Sequence, residues 1–193
     1  MVGFVAAIAA TGQASRPPAS ATEGMYQVAA QSADRKIRHI ASNGTRSQPD
    51  PRPTDLTERE INAYLQSGAV ELPRGVSRLR LEGLDNTVTA HALVDFDVLT
   101  EGRRSSNPLL YLFSGTHDVD VVADAVGIGG EGRVYIKSVA IDGVNVPRAA
   151  LEMFVNRYVK PKYPNLGLNS HFALPARIDS AVVGNHVLTV RQK

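Results

Sequence analysis

Residues 118–141 read DVDVVADAVGIGGEGRVYIKSVAI, and the spacing of their apolar positions decides the fold. Val119, Val121, Ala123 and Ala125 alternate with Asp118, Asp120 and Asp124, the two-residue period of a strand with one face buried and one face wet. Residues Gly127 to Gly132 turn the chain, and Val134, Ile136, Val139 and Ile141 bring it back. The returning apolar set changes parity at Ser138, which predicts a β-bulge or a strand covered on both faces. Asp142-Gly143 follows as a tight-turn signal.

The same period continues outward. Val88, Ala90, Ala92, Val94 and Phe96 alternate with Thr89, His91, Leu93 and Asp95, and Leu79 and Leu81 mark a preceding strand, with a turn at Leu84-Asp85-Asn86. After Pro147, placed to start a helix, Leu151, Phe154, Val155 and Tyr158 fall at i, i+3, i+4 and i+7, and Pro161 and Pro164 end the helix. Two short strands close the chain: Phe172 to Ile178, interrupted by Pro175 and so expected at an edge, and His186 to Val190. The sharpest helix signal lies earlier. Thr57 and Glu60 form a capping box, Leu56 and Ile61 a hydrophobic staple, and Ile61, Tyr64 and Leu65 share one face before Ser67-Gly68. Glu23 to Ser42 also reads as a helix, but its apolar stripe is thin, as in a loosely packed helix or a stalk. Ser47 to Pro53 alternates prolines as an extended linker does, so the folded domain is expected to begin near residue 54. The reading is an α+β protein: a long antiparallel, twisted sheet with helices across one face.

With 193 residues, 43% hydrophobic and 21% charged, the chain has the size and composition of one globular domain. Its 21 basic and 19 acidic residues nearly balance and form no basic run, so no nucleic-acid partner is expected. The absence of cysteine excludes disulfides, thiolate metal sites, cysteine nucleophiles and a lipobox. Val2 to Ala10 is an apolar run too short to span a bilayer, followed by small Gly12 and Ala14 and by Pro17-Pro18. Residues 1–14 therefore read as a signal-peptide remnant, 15–53 as a helix and Pro-rich linker, and 54–193 as the domain of a periplasmic or secreted protein.

Catalytic patterns fail on context. Gly127, Gly129 and Gly132 match a dinucleotide fingerprint in letters, but a strand follows where a helix must hold the pyrophosphate. His39, His91, His117, His171 and His186 lack metal-site spacing. Ser114, His117 and Asp118 cannot form a relay as neighbours on an extended strand, because alternate side chains face opposite ways. Asp118, Asp120 and Asp124 lack the glycine and closing Glu of a calcium loop, and read as the solvated face. No cofactor, metal or catalytic residue is expected.

Apolar surplus is more informative. Leu109 to Phe113 is a run of five hydrophobic residues, either a buried helix or doubly covered strand, or an apolar lip meeting lipid or membrane. Ala90, Ala92, Ala123 and Ala125 either leave room on the inner face of the sheet or allow close helix packing. The capping-box helix from Leu56 to Asn62, the long alternating strands through Phe96 and Ile141, the turn through Asp142 and Gly143, and the helix ending in Tyr158 follow in that order. Over about residues 54–190 this order resembles small exported bacterial lipid-binding proteins of the tubular lipid-binding (TULIP) type, such as the LmeA- and YceB-like groups. The resemblance implies a curved sheet wrapped on amphipathic helices, a TULIP-like half-barrel, enclosing a groove for a phospholipid or similar amphiphile. It also implies lipid transfer in the cell envelope, with transient contact at a membrane surface. On that reading Ile61, Tyr64, Leu65, Leu110, Leu112, Phe113, Leu151, Phe154, Val155 and Tyr158 line or gate the groove. The alternative is a non-enzymatic envelope scaffold that binds another protein through apolar patches.

Overall fold

The computed structural model describes residues 21–102 and 106–193; the predicted leader, residues 1–14, lies outside them. The α+β reading holds: the described residues form one nine-stranded antiparallel sheet and four helices. Strands β2 (Val76–Leu84), β3 (Thr87–Asp95), β4 (Thr116–Ile128) and β5 (Glu131–Ile141) run as a meander, and β1 (Thr54–Thr57) precedes them. A two-residue β6 (Val144–Asn145) follows, then β7 (Asn169–Ala173), β8 (Ile178–Val183) and β9 (Val187–Gln192). The hairpin turns Asp85-Asn86, Gly129-Gly130 and Asp142-Gly143 all have positive φ at both central residues, which matches the right-handed twist of the strands they join.

β4 organises the sheet. One of its edges is shared: β3 pairs with Thr116–Asp124, and β8 pairs with Val126–Ile128, with β9 and β1 beyond. β5 runs along the other edge. Val122 opposes Ser138 and Ala123 opposes Ile136, leaving Lys137 as the extra residue of a bulge. That is the predicted parity change, and it keeps Ile136, Val139 and Ile141 on the face of Ala123, Val121 and Val119.

Two cores form on that face. Helix α4 (Arg148–Phe154), continued by a π-helical segment (Val155–Val159), packs Leu151, Phe154 and Tyr158 against Val94, Val119 and Ile141. Pro147 stands just before this helix, as its N-cap. The second core joins α1 (Ala21–Asn43) and α2 (Glu58–Gln66) to β1, β8 and β9 through Ala33, Ile40, Leu56, Tyr64, Ile178 and Val190. Residue parity ties the cores to one face, since Gly127 of β4 pairs with Ala181, and Ala181 with Val190.

The capping box at Thr57 and Glu60 is present in full. Three expectations need correction. Helix α1 is no stalk, because Ala29 and Ala33 let it lie close against its neighbours and bury a stripe of small side chains. The segment read as a linker is short and pinned: buried Asn43 donates to the Asp50 carbonyl and accepts from its N–H, and also donates to Gln192. The predicted strand from Phe172 to Ile178 is two strands, β7 and β8. Pro175 starts a turn closed by the Ile178 N–H on its carbonyl, with Ala176 and Arg177 at positive φ.

Polar side chains of α2 guard the open edge of β2. The Asn62 amide bonds both the N–H and the carbonyl of Leu81 at 2.8 Å, and Glu58 accepts from the Gly83 N–H at 3.1 Å and meets His186 at 2.6 Å. An unpaired edge would otherwise template aggregation. Glu60 joins α1 to α2, accepting from Ser32 at 2.6 Å, from Lys36 at 2.7 and 2.8 Å, and from the Thr57 N–H at 2.8 Å. Burial pushes its carboxyl up, but bonds from Lys36, Ser32 and Thr57 outweigh that and hold it at about 2. Glu60→Ala strands these donors and should cost about 2–3 kcal/mol in urea unfolding. Because the folded value lies below the unfolded 4.5, the charge-dependent part is complete above about pH 4.5 and is lost toward pH 2. Glu60→Gln should flatten that acid limb.

Candidate functional site

Seven of the ten sequence-derived site residues divide between the two cores. Leu110, Phe113, Leu151, Phe154 and Tyr158 are buried in the first, with the Phe154 ring 4.3 Å from Phe113, 5.7 Å from Phe96 and 5.2 Å from Tyr158 between centroids. Tyr64 is buried in the second with Ile61 packed beside it; Leu65 is buried too. Val155 is half-buried. Leu112 is 45% exposed and Tyr111 63% exposed, while Leu110 and Phe113, on either side of them, are buried. Residues expected around one groove therefore form two cores, one per group of helices.

Between the cores, a strip of the same sheet face is only part-covered. Strand register aligns Leu81, Ala90, Val121 and Val139 in one row. The next row holds Val88, Ala123 and Ile136, and the next Ala125 and Val134. Ala90 and Ala123 are buried, whereas Val88, Val121, Ala125, Val134, Ile136 and Val139 stay half-buried. Alternation placed these residues on one face, and the alanines read equally as spare room or as close packing. The position of the strip required the helix placements, which are tertiary.

At the β5 edge, Ile136 opens into a cleft of about 270 Å³, bounded by Lys137 and Ser138, by Asn145 and Val146, and by Arg148 and Leu151 of α4. The edge is open there only at Lys137 and Ser138: β7 pairs as far as Tyr135, the Ile136 N–H donates to the Leu168 carbonyl, and the Val139 carbonyl accepts from the Val146 N–H before β6 begins at Ala140. Leu151 is the one expected site residue that borders this cleft.

The opposite face carries paired polar groups. Asp120 meets His91 at 2.6 Å, and Asp124 accepts from Thr87 and Lys137, both at 3.1 Å. Among the described residues, no group of three His, Cys, Asp or Glu side chains is arranged to hold a metal ion. Ser114 donates its hydroxyl to the Tyr111 carbonyl, while His117 meets the Ser114 carbonyl at 2.8 Å and Asp142 at 2.5 Å. That geometry contains no hydroxyl-to-imidazole bond, so it is not a nucleophile–base pair. The hydrogen bond to Asp142, then that to the Ser114 carbonyl, raises the His117 pKa above its ordinary value.

The fold and this face define an α+β protein with a half-covered apolar sheet. No family model matches the chain, and no curated protein or solved structure matches it either. Among the described residues, no helix is long and apolar enough to cross a membrane.

Phe113→Ala should cost about 3–5 kcal/mol in chemical unfolding, as cavity formation in an aromatic core does. Leu112→Ser should stay within about 0.5 kcal/mol of the parent. For His117, the raised folded pKa means its contribution is complete below the unfolded value of 6.5 and is lost as pH rises through the folded value. An NMR titration should place its midpoint above 6.5, and His117→Gln should remove that pH dependence of stability.

Proposed function

We propose that this is an exported, non-enzymatic binding protein that holds a phospholipid or similar amphiphile along the half-covered strip. The observation that carries the reading is the part-exposed aliphatic side chains of two adjacent rows, Val121 and Val139 at the margin of the first core and Val88 and Ile136 beyond them. Soluble domains normally bury the apolar face of a sheet, and a contiguous uncovered stretch marks an interaction surface. An acyl chain has the right chemistry to cover it, being flexible and without polar groups. In this reading the curved sheet is a TULIP-like half-barrel with an open interior, and the protein transfers lipid in the cell envelope. The apolar run from Val2 to Ala10 and the small residues after it support a periplasmic or secreted location. The exposed Tyr111 and Leu112 suit transient contact with a membrane surface.

A second reading has its own observation. Met25, Tyr26 and Val28 stay exposed on α1, as a scaffold would present them to another protein.

Native mass spectrometry of the purified full chain, followed by organic extraction, distinguishes the two. The lipid reading expects a co-purifying amphiphile that is lost when Val121 and Val139 are replaced by Thr, with the circular dichroism spectrum unchanged. A bare polypeptide mass that takes up no added phospholipid contradicts it.

A further inference from the structure

The cleft at the β5 edge differs in character from the strip it adjoins. Ile136, Val146, Leu151 and Leu168 give it apolar walls, while Lys137 and Arg148 give it two cations. Ser138 and Asn145 add neutral hydrogen-bonding side chains. Lys137 borders the cleft as the unpaired residue of β5, and its ammonium rests on Asp124 of the polar face, 3.1 Å away. Arg148, in the first turn of α4, lies with its guanidinium 5.6 Å from the centre of the Tyr135 ring, which holds it against β5.

We infer that this cleft binds the anionic head, carboxylate or phosphate, of a single-chain amphiphile whose tail runs from Ile136 onto the strip. The inference rests on the amphiphile reading and adds the charge of the head and its place. Charge complementarity selects an anion, since Lys137 and Arg148 both line this small cavity and, among the described residues, no acidic one does. Their present partners are exposed carboxylates: Asp124 lies 3.1 Å from Lys137, and Glu152 lies 3.1 Å from Arg148. Such solvent-exposed pairs bind weakly and exchange readily for a better-placed anion. The guanidinium can take two oxygens at once, and the ammonium a third. A volume of about 270 Å³ accommodates a head and a few methylenes but not a whole lipid, so the rest of the chain must lie along the sheet. Ile136 belongs to both the cleft and the strip, and so provides the continuity.

The test is isothermal titration of the delipidated full chain with oleate, dodecyl phosphate and neutral monoolein. Paired Lys137→Gln and Arg148→Gln substitutions should weaken at least one of the two anions tenfold or more and leave monoolein within about twofold. Arg59→Gln with Arg74→Gln, the same charge change elsewhere, should alter none of them. The carboxylate and phosphate arms show which head is preferred. Equal weakening of monoolein, or no weakening of either anion, overturns the head site while leaving the amphiphile reading standing. Failure of the parent protein to bind any of the three probes overturns both.

Discussion

Strand β4 is longer than any single layer of helices in this protein can cover. Its thirteen residues extend roughly 44 Å at the usual rise per residue. Helix α4 with its π extension rises only about 18 Å, α2 about 14 Å, and even the 23-residue α1 about 35 Å. One strand must therefore serve two packing units, and its shared edge follows directly. β3 occupies the first part of that edge and β8 the last. The bulge at Lys137 keeps the apolar residues of β5 in phase with those of β4 along most of this length. Without it, Ile136 and Val134 would point to the wet face.

The half-covered strip is what remains between the two units. Its position follows from that geometry, and Ala90 and Ala123 sit buried in adjacent rows of it. Polar groups hold the arrangement at its margins. Asn62 and Glu58 occupy the backbone groups of the β2 edge, and the hairpin from β8 to β9 reaches that edge through the His186 N–H on the Gly83 carbonyl. Glu60 joins α1 to α2, and Asn43 ties the end of α1 to Gln192 in the last strand. Such contacts fix where the helices stop and leave the centre of the sheet only part-covered.

Much of this was legible in residue order because the signals were local. Period-two alternation marked β3, β4 and β5; the parity change at Ser138 marked the bulge; and Thr57 with Glu60 marked the start of α2. What was not legible depended on distance. Ala29 and Ala33 look like a weak stripe until a second helix lies against them. Pro175 could have interrupted one edge strand or separated two, and only pairing with different partners decides between them. The apolar faces of α2 and α4 read equally well as groove or core, since both need the same side chains. The cleft was illegible for a different reason: Lys137 and Arg148 are ordinary surface residues until a bulge and a helix N-terminus place them around one cavity.

The central claim is that an amphiphile lies on the sheet between the two cores. Paramagnetic broadening tests it most directly, using methyl-labelled protein and a stearate carrying a nitroxide on its chain. The account predicts selective broadening of Val88, Val121, Ile136 and Val139 methyls, with Leu56 and Val190 in the second core spared. Uniform weak broadening, or broadening confined to Leu112 and the exposed face of α1, would contradict it.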